Sequence, residues 1–109
     1  MQETEFINLC DYQLNRIADL LEKKDQNAVL DIDCMDGVLD IEIIKTGQQY
    51  VVNRNSGNQK IWYSSPFTGA DYFAYDDIKN AWLNDLEIDL LDKLLQELEQ
   101  FKILENSNN

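Results

Sequence analysis

The feature that most constrains the fold is a change of hydrophobic period, twice, along one short chain. Over residues 4–24 the apolar side chains Phe6, Cys10, Leu14, Ile17 and Leu21 recur every three or four positions, which places them on one face of a helix. Asp11, Asn15, Asp19 and Glu22 take the opposite face. Glu3, Thr4 and Glu5 suit a helix start, where they can cap free amides and meet the positive end of the dipole, and Lys23 and Lys24 suit its end. After Asp25-Gln26-Asn27 the period becomes two. Leu30, Ile32 and Cys34 alternate with Asp31 and Asp33, and Leu39, Ile41 and Ile43 alternate with Asp40 and Glu42. Between the two runs stands Asp36-Gly37, a strong hairpin signal.

Further strands are predicted at 49–54, 60–64 and about 71–75, separated by Thr46-Gly47, by Asn55-Ser56-Gly57-Asn58 and by Ser65-Pro66 with Gly69. A short sixth strand fits 81–83. The helical period then returns: Ile88, Leu91, Leu94, Leu95, Leu98 and Phe101 predict a helix over 87–104, with Asp89, Asp92, Lys93, Gln96 and Glu99 outside and a polar tail over 105–109. Helix, a run of strands, helix is the order of an α+β two-layer sandwich, an antiparallel sheet of five to six strands with both terminal helices on one face. The 109 residues fit a single domain, 1–109, and 44% hydrophobic content is enough for one core.

The net charge of -12 is unevenly placed: residues 1–44 carry 11 acids against 3 bases, residues 45–84 carry 3 against 4, and residues 85–109 carry 7 against 2. Nucleic acid and membrane surfaces are therefore poor partners, because phosphate binding needs clustered Lys and Arg; cations and basic proteins are better ones. No apolar run approaches the roughly 20 residues of a membrane span. With no histidine, and only Cys10 and Cys34 outside any CxxC spacing, zinc sites of Cys and His are excluded, as are Ser-His-Asp and Cys-His catalysis. No catalytic residue is assigned. Both cysteines fall on the apolar pattern and read as buried thiols.

Two groups of residues remain to carry function. Asp11, Asp19 and Glu22 on the first helix, Asp31 and Asp33 on the first strand, and Asp25 at the join form a negative ridge if helix and strand run side by side. Oxygen-only donors suit hard cations, weakly and at several exposed positions; by spacing alone the same carboxylates read rather as a solvated face that maintains solubility. In the strand 60–64, Ile61 and Tyr63 share one face and Trp62 and Ser64 the other, so Trp62 points away from a core that holds Ile61. An outward Trp reads either as a binding anchor or as a ring covered by its neighbours. Trp82 and the aromatics Tyr72, Phe73 and Tyr75 read as packing.

The segment 50–69 resembles the central signature of the frataxin family, including its bacterial CyaY-type members. In that signature an Asn ends one strand, a turn follows, and the next strand runs Ile/Val-Trp into Ser-Ser-Pro and Gly; Asn53, Ile61, Trp62, Ser64, Ser65, Pro66 and Gly69 match. The acidic strand at 31–33, its hairpin at 37–39, and Trp82 before the last helix also match. Lys60 stands where the family often has Gln, Gly57 where Pro is common, and Lys23 and Lys24 interrupt an acidic helix end.

The resemblance implies a non-enzymatic iron-binding accessory protein of iron–sulfur cluster assembly. It would bind Fe2+ or Fe3+ weakly along the ridge, without an organic cofactor, and modulate sulfur transfer or iron delivery. Its partners would be a cysteine desulfurase and the scaffold protein, met through Asn53, Lys60 and Trp62. It implies a monomer able to form iron-driven oligomers. The N-terminus, MQETEF, is acidic and unlike a signal or transit peptide; the expected location is the bacterial cytoplasm, or the mitochondrial matrix for a chain trimmed of its presequence. Two other classes fit the charge: ferroxidase or iron-storage activity on the ridge, and an acidic DNA mimic that blocks a basic protein.

Overall fold

A computed structural model describes residues 1–105. In chain order it contains α1 (Glu3–Lys24), β1 (Leu30–Met35), β2 (Val38–Ile43), β3 (Gln49–Asn55), β4 (Lys60–Ser65), β5 (Gly69–Asp76), β6 (Ala81–Leu83) and α2 (Leu90–Gln100). The six strands form one antiparallel meander in the order β1-β2-β3-β4-β5-β6. Both helices cover one face, and the other face is open, as the alternating pattern requires.

The covered face is apolar at every second residue. Phe6, Cys10, Leu14, Ile17 and Leu21 of α1 meet Leu39, Ile41, Tyr50, Val52, Ile61, Tyr63 and Phe73 of the sheet, all fully buried. Trp82 is also core, edge-on to Phe6 at 6.1 Å and to Tyr75 at 5.4 Å. Cys10 is buried as expected, and burial foremost pushes its thiol up to about 12. Cys34 departs from the expected buried thiol: it is half-buried at the α1–β1 margin. Burial first, then Asp11, Asp33 and Asp19, raise its pKa.

The β1–β2 turn carries out what Asp36-Gly37 predicts. Both residues have positive φ, 54° and 77°, the pair of left-handed conformations of a type I′ turn. A Cβ at Gly37 would also lie 2.6 Å from the Arg54 guanidinium carbon, so any larger residue there would push the Arg54 side chain aside. That close approach lets Arg54 reach across to α1 and donate to Asp11 at 2.8 Å.

Each helix departs from its predicted ends. At α1 the N-cap is Gln2, which makes no side-chain cap bond, so Glu3 and Glu5 act on the dipole alone and Thr4 does not cap. α2 is shorter than 87–104 at both ends. Asn84 Oδ1 accepts from the amides of Leu86 and Ile88 at 3.0 and 2.9 Å, Glu87 has φ 60°, and Asp89 caps Asp92 N at 3.0 Å, so helix begins only at Leu90. At the far end Lys102 takes φ 60° and donates to Glu99 O, while Ile103 N donates to Leu98 O. This is a Schellman stop, with Lys where Gly is usual. Ile88 and Phe101 therefore fall outside the helix and are partly exposed, Phe101 stacking on Phe67 at 4.3 Å. The predicted polar tail lies, from residue 106, outside the described residues.

α2 is held to the sheet by polar contacts that the apolar stripe does not foretell. Glu97 is 4% exposed and faces inward. Its Oε1 accepts from the hydroxyls of Tyr50 (3.2 Å) and Ser65 (2.6 Å), and its Oε2 from those of Tyr63 (2.8 Å) and Thr68 (2.9 Å). Four donors satisfy one buried carboxylate, which offsets its desolvation. Nearer the start of α2, Asp71 on β5 accepts from Asn84 Nδ2 at 2.9 Å and Lys93 Nζ at 3.2 Å. Burial pushes the Asp71 carboxyl up, but bonds from Asn84, its neighbour's amide and Lys93 outweigh it, and the net pKa is lowered. A carboxylate depressed in the folded state stabilises above its unfolded pKa, and that contribution is lost as pH falls through the folded value. Asp71→Asn should therefore flatten the acid side of the stability–pH curve below about pH 4, read by chemical denaturation across pH. An unchanged acid limb would remove Asp71 from that role.

Candidate functional site: the open sheet face

Residues that alternate away from the helices cover the open face in register. One row runs Met35, Val38, Asn53, Trp62, Tyr72 across β1 to β5. The next runs Asp33, Asp40, Val51, Ser64, Ala70, and a third Asp31, Glu42, Gln49. The face is thus divided: carboxylates over β1 and β2, aromatics over β4 and β5.

Trp62 points away from the core, as predicted from Ile61 and Tyr63, and is half-buried between Asn53 and Tyr72. Tyr72, read from sequence as packing together with Phe73 and Tyr75, is instead 42% exposed, because its place between Asp71 and Phe73 turns it to this open face. Asn53 donates to Arg54 O at 3.3 Å, yet its own side-chain oxygen is buried without a donor among the described residues. An acceptor left so costs about 1–3 kcal/mol. Lys60 opens β4 opposite Asn55, on the same face as Trp62.

The acidic residues predicted as one ridge occupy three settings. Asp31 and Asp33 lie exposed on the open face, directly opposite Glu42 and Asp40. Asp25 is engaged in structure: its two oxygens accept from the amides of Val29 and Leu30, both at 2.9 Å, shaping the entry to β1. Asp11 is paired with Arg54, while Asp19 and Glu22 are exposed on α1. α1 packs directly against β1, so helix and strand do run side by side. Among the described residues no three carboxylates or cysteines converge on a point where a metal ion could be held. The donor set offers a hard cation only one or two carboxylates at a time, so an ion held there would keep most of its water and exchange readily.

Asp40 and Glu42 were not among the ridge residues read from sequence. The signal was present: a two-residue turn at Asp36-Gly37 pairs Met35 with Val38 and so brings Asp33 opposite Asp40. Like charges directly opposite on adjacent strands destabilise. Asp31→Asn with Asp33→Asn should raise the melting temperature without metal, and divalent metal should raise that of the unaltered chain. A differential-scanning measurement in which metal leaves the midpoint unchanged would reduce these rows to a charged surface.

The fold and this face together define a small two-layer α+β protein whose exposed sheet is split between carboxylates and aromatics. The family model described as a Frataxin-like domain matches residues 1–103, and the chain belongs to that family. It is 34% identical over 100 residues to the mitochondrial frataxin of Arabidopsis thaliana, an alignment covering 89% of this chain and 53% of that protein. It is also 34% identical over 85 residues to the iron-sulfur cluster assembly protein CyaY of Thioalkalivibrio sulfidiphilus, covering 78% of each. The chain spans about half the length of the plant relative. Among solved structures, trimeric frataxin from Saccharomyces cerevisiae complexed with ferrous iron superposes with a TM-score of 0.71 at 28% identity, covering 84% of this chain and 83% of that one. Frataxin from Psychromonas ingrahamii shares the fold with a TM-score of 0.72 at 24% identity, covering 94% and 93%. Among the described residues no helix is long and apolar enough to cross a membrane.

Proposed function

We propose that this chain is a binding protein of iron–sulfur cluster assembly, not an enzyme, which docks on a cysteine desulfurase–scaffold complex and carries iron as weakly held cargo. The similarity to the iron-sulfur cluster assembly protein CyaY of Thioalkalivibrio sulfidiphilus supports the pathway. The observation that carries the docking is the row Asn53–Trp62–Tyr72: a partly exposed indole stands between an exposed phenol and an amide whose buried oxygen lacks a donor. A partner seated there would desolvate two aromatic rings, and aromatic anchors of this kind dominate interface energy. Lys60 extends the same face.

The carboxylate rows take the ion. Asp31 with Glu42 and Asp33 with Asp40 offer oxygen donors in pairs, with Asp19 and Glu22 adding field from α1. Partial coordination lets the ion keep most of its water and leave readily, as delivery to a scaffold requires. Desulfurase turnover, measured with the scaffold present, should change when this protein is added, and the change should be lost with Trp62→Ala. Identical turnover with and without the unaltered protein would refute the docking.

A further inference from the structure

The β6 edge of the sheet, opposite the β1 edge, presents the two most exposed large apolar side chains among the described residues, Ile78 at 90% and Leu86 at 78%. Neither sits on a frayed segment. Asp76 Oδ1 accepts from the amides of Ile78 and Lys79, both at 3.0 Å; Asn84 Oδ1 accepts from those of Leu86 and Ile88 at 3.0 and 2.9 Å. Each aliphatic residue thus lies two positions after an Asx side chain that fixes its backbone, and each loop also holds a non-glycine residue at positive φ, Asn80 at 52° and Glu87 at 60°. Lys79 Nζ lies 3.4 Å from Glu87 Oε1 and ties the turn to the loop.

Two bare aliphatic groups on ordered backbone lose little conformational freedom on being covered, which favours binding. Their surroundings select the partner. Asp77, Asp85 and Asp92 are exposed nearby, and the one cation of the 76–92 segment is Lys79, already facing Glu87. A second copy would bring the same negative charge to this patch, and nucleic acid or an anionic bilayer would be repelled. We infer that the β6 edge, with Ile78 in the turn before it and Leu86 in the loop after it, is a second docking surface, fitted to a basic protein surface that offers an apolar contact at each end. This inference rests on the docking proposed above and adds a contact on the desulfurase–scaffold complex distinct from the Trp62 row.

The test is titration of the purified desulfurase–scaffold complex with the unaltered chain, with Ile78→Ser/Leu86→Ser, and with Asp77→Asn/Asp85→Asn. The serine pair should weaken binding about tenfold or more with an unchanged melting curve. The asparagine pair should weaken it and flatten its salt dependence. If the unaltered chain binds, Trp62→Ala weakens it and the serine pair does not, the Trp62 docking stands and this second surface is overturned. If the unaltered chain does not bind the complex at all, both fall. If instead the serine pair abolishes self-association seen by sedimentation, the occupant is a second copy and the basic-partner inference is wrong.

Discussion

Glu97→Ala should lower the unfolding free energy by about 3 kcal/mol or more, and with it the melting midpoint by roughly 12–20 °C. The substitution removes the acceptor for the hydroxyls of Tyr50, Tyr63, Ser65 and Thr68 at once. The tyrosine hydroxyls would be left facing a dry cavity, and a donor stranded in this way costs about 1–3 kcal/mol. Ser65 holds a further role: its Oγ accepts from the amides of Phe67 and Thr68 at 3.0 and 3.1 Å, so the loss reaches the β4–β5 turn. Glu97→Gln keeps the volume and one acceptor oxygen and should cost less than Glu97→Ala. Thermal unfolding followed by near-ultraviolet circular dichroism reads both. A loss under about 1 kcal/mol for the alanine variant would mean that the apolar residues of α2 alone fix the helix.

Trp62→Ala should weaken binding to the desulfurase–scaffold complex by about 30-fold or more, since central aromatic anchors contribute about 2 kcal/mol or above. Its effect on stability should be small by comparison, because Trp62 is half-buried on the side of the sheet away from the core. That separation distinguishes docking from folding. An affinity loss with an intact melting curve assigns the indole to the interface, whereas a fall in melting temperature with unchanged affinity assigns it to packing. Isothermal titration and differential scanning on the same preparation decide between them.

Much of this architecture was legible in the residues because most of it depends on periodicity. The apolar residues of α1 and their burial follow from spacing alone. The outward turn of Trp62 follows from Ile61 and Tyr63, and the strand register from Asp36-Gly37. The parts that were not legible depend on side chains bonding to backbone or to one another across long separations. Asn84 and Asp89 delay α2 by three residues through local hydrogen bonds that compete with helix. Glu97 sits beside Leu94 and Leu98 on the apolar face, so its inward position could be suspected from spacing, but its four donors come from residues 29 to 47 positions away. Asp11 and Asp25, chosen from sequence for charge, have structural bonds that spacing does not reveal: one to Arg54 on β3, one to the amides before β1.

The meander has a consequence for how the molecule assembles. Every strand pairs with the one next to it in sequence, so the whole sheet can form by closing short loops, which is entropically cheap and kinetically fast. Only the two chain ends must return from afar, one fastened by Arg54 to Asp11 over 43 positions and the other by Tyr50 to Glu97 over 47. The last and slowest event in folding should then be the seating of these ends upon a preformed ribbon, and an error there would leave its greasy side bare to water.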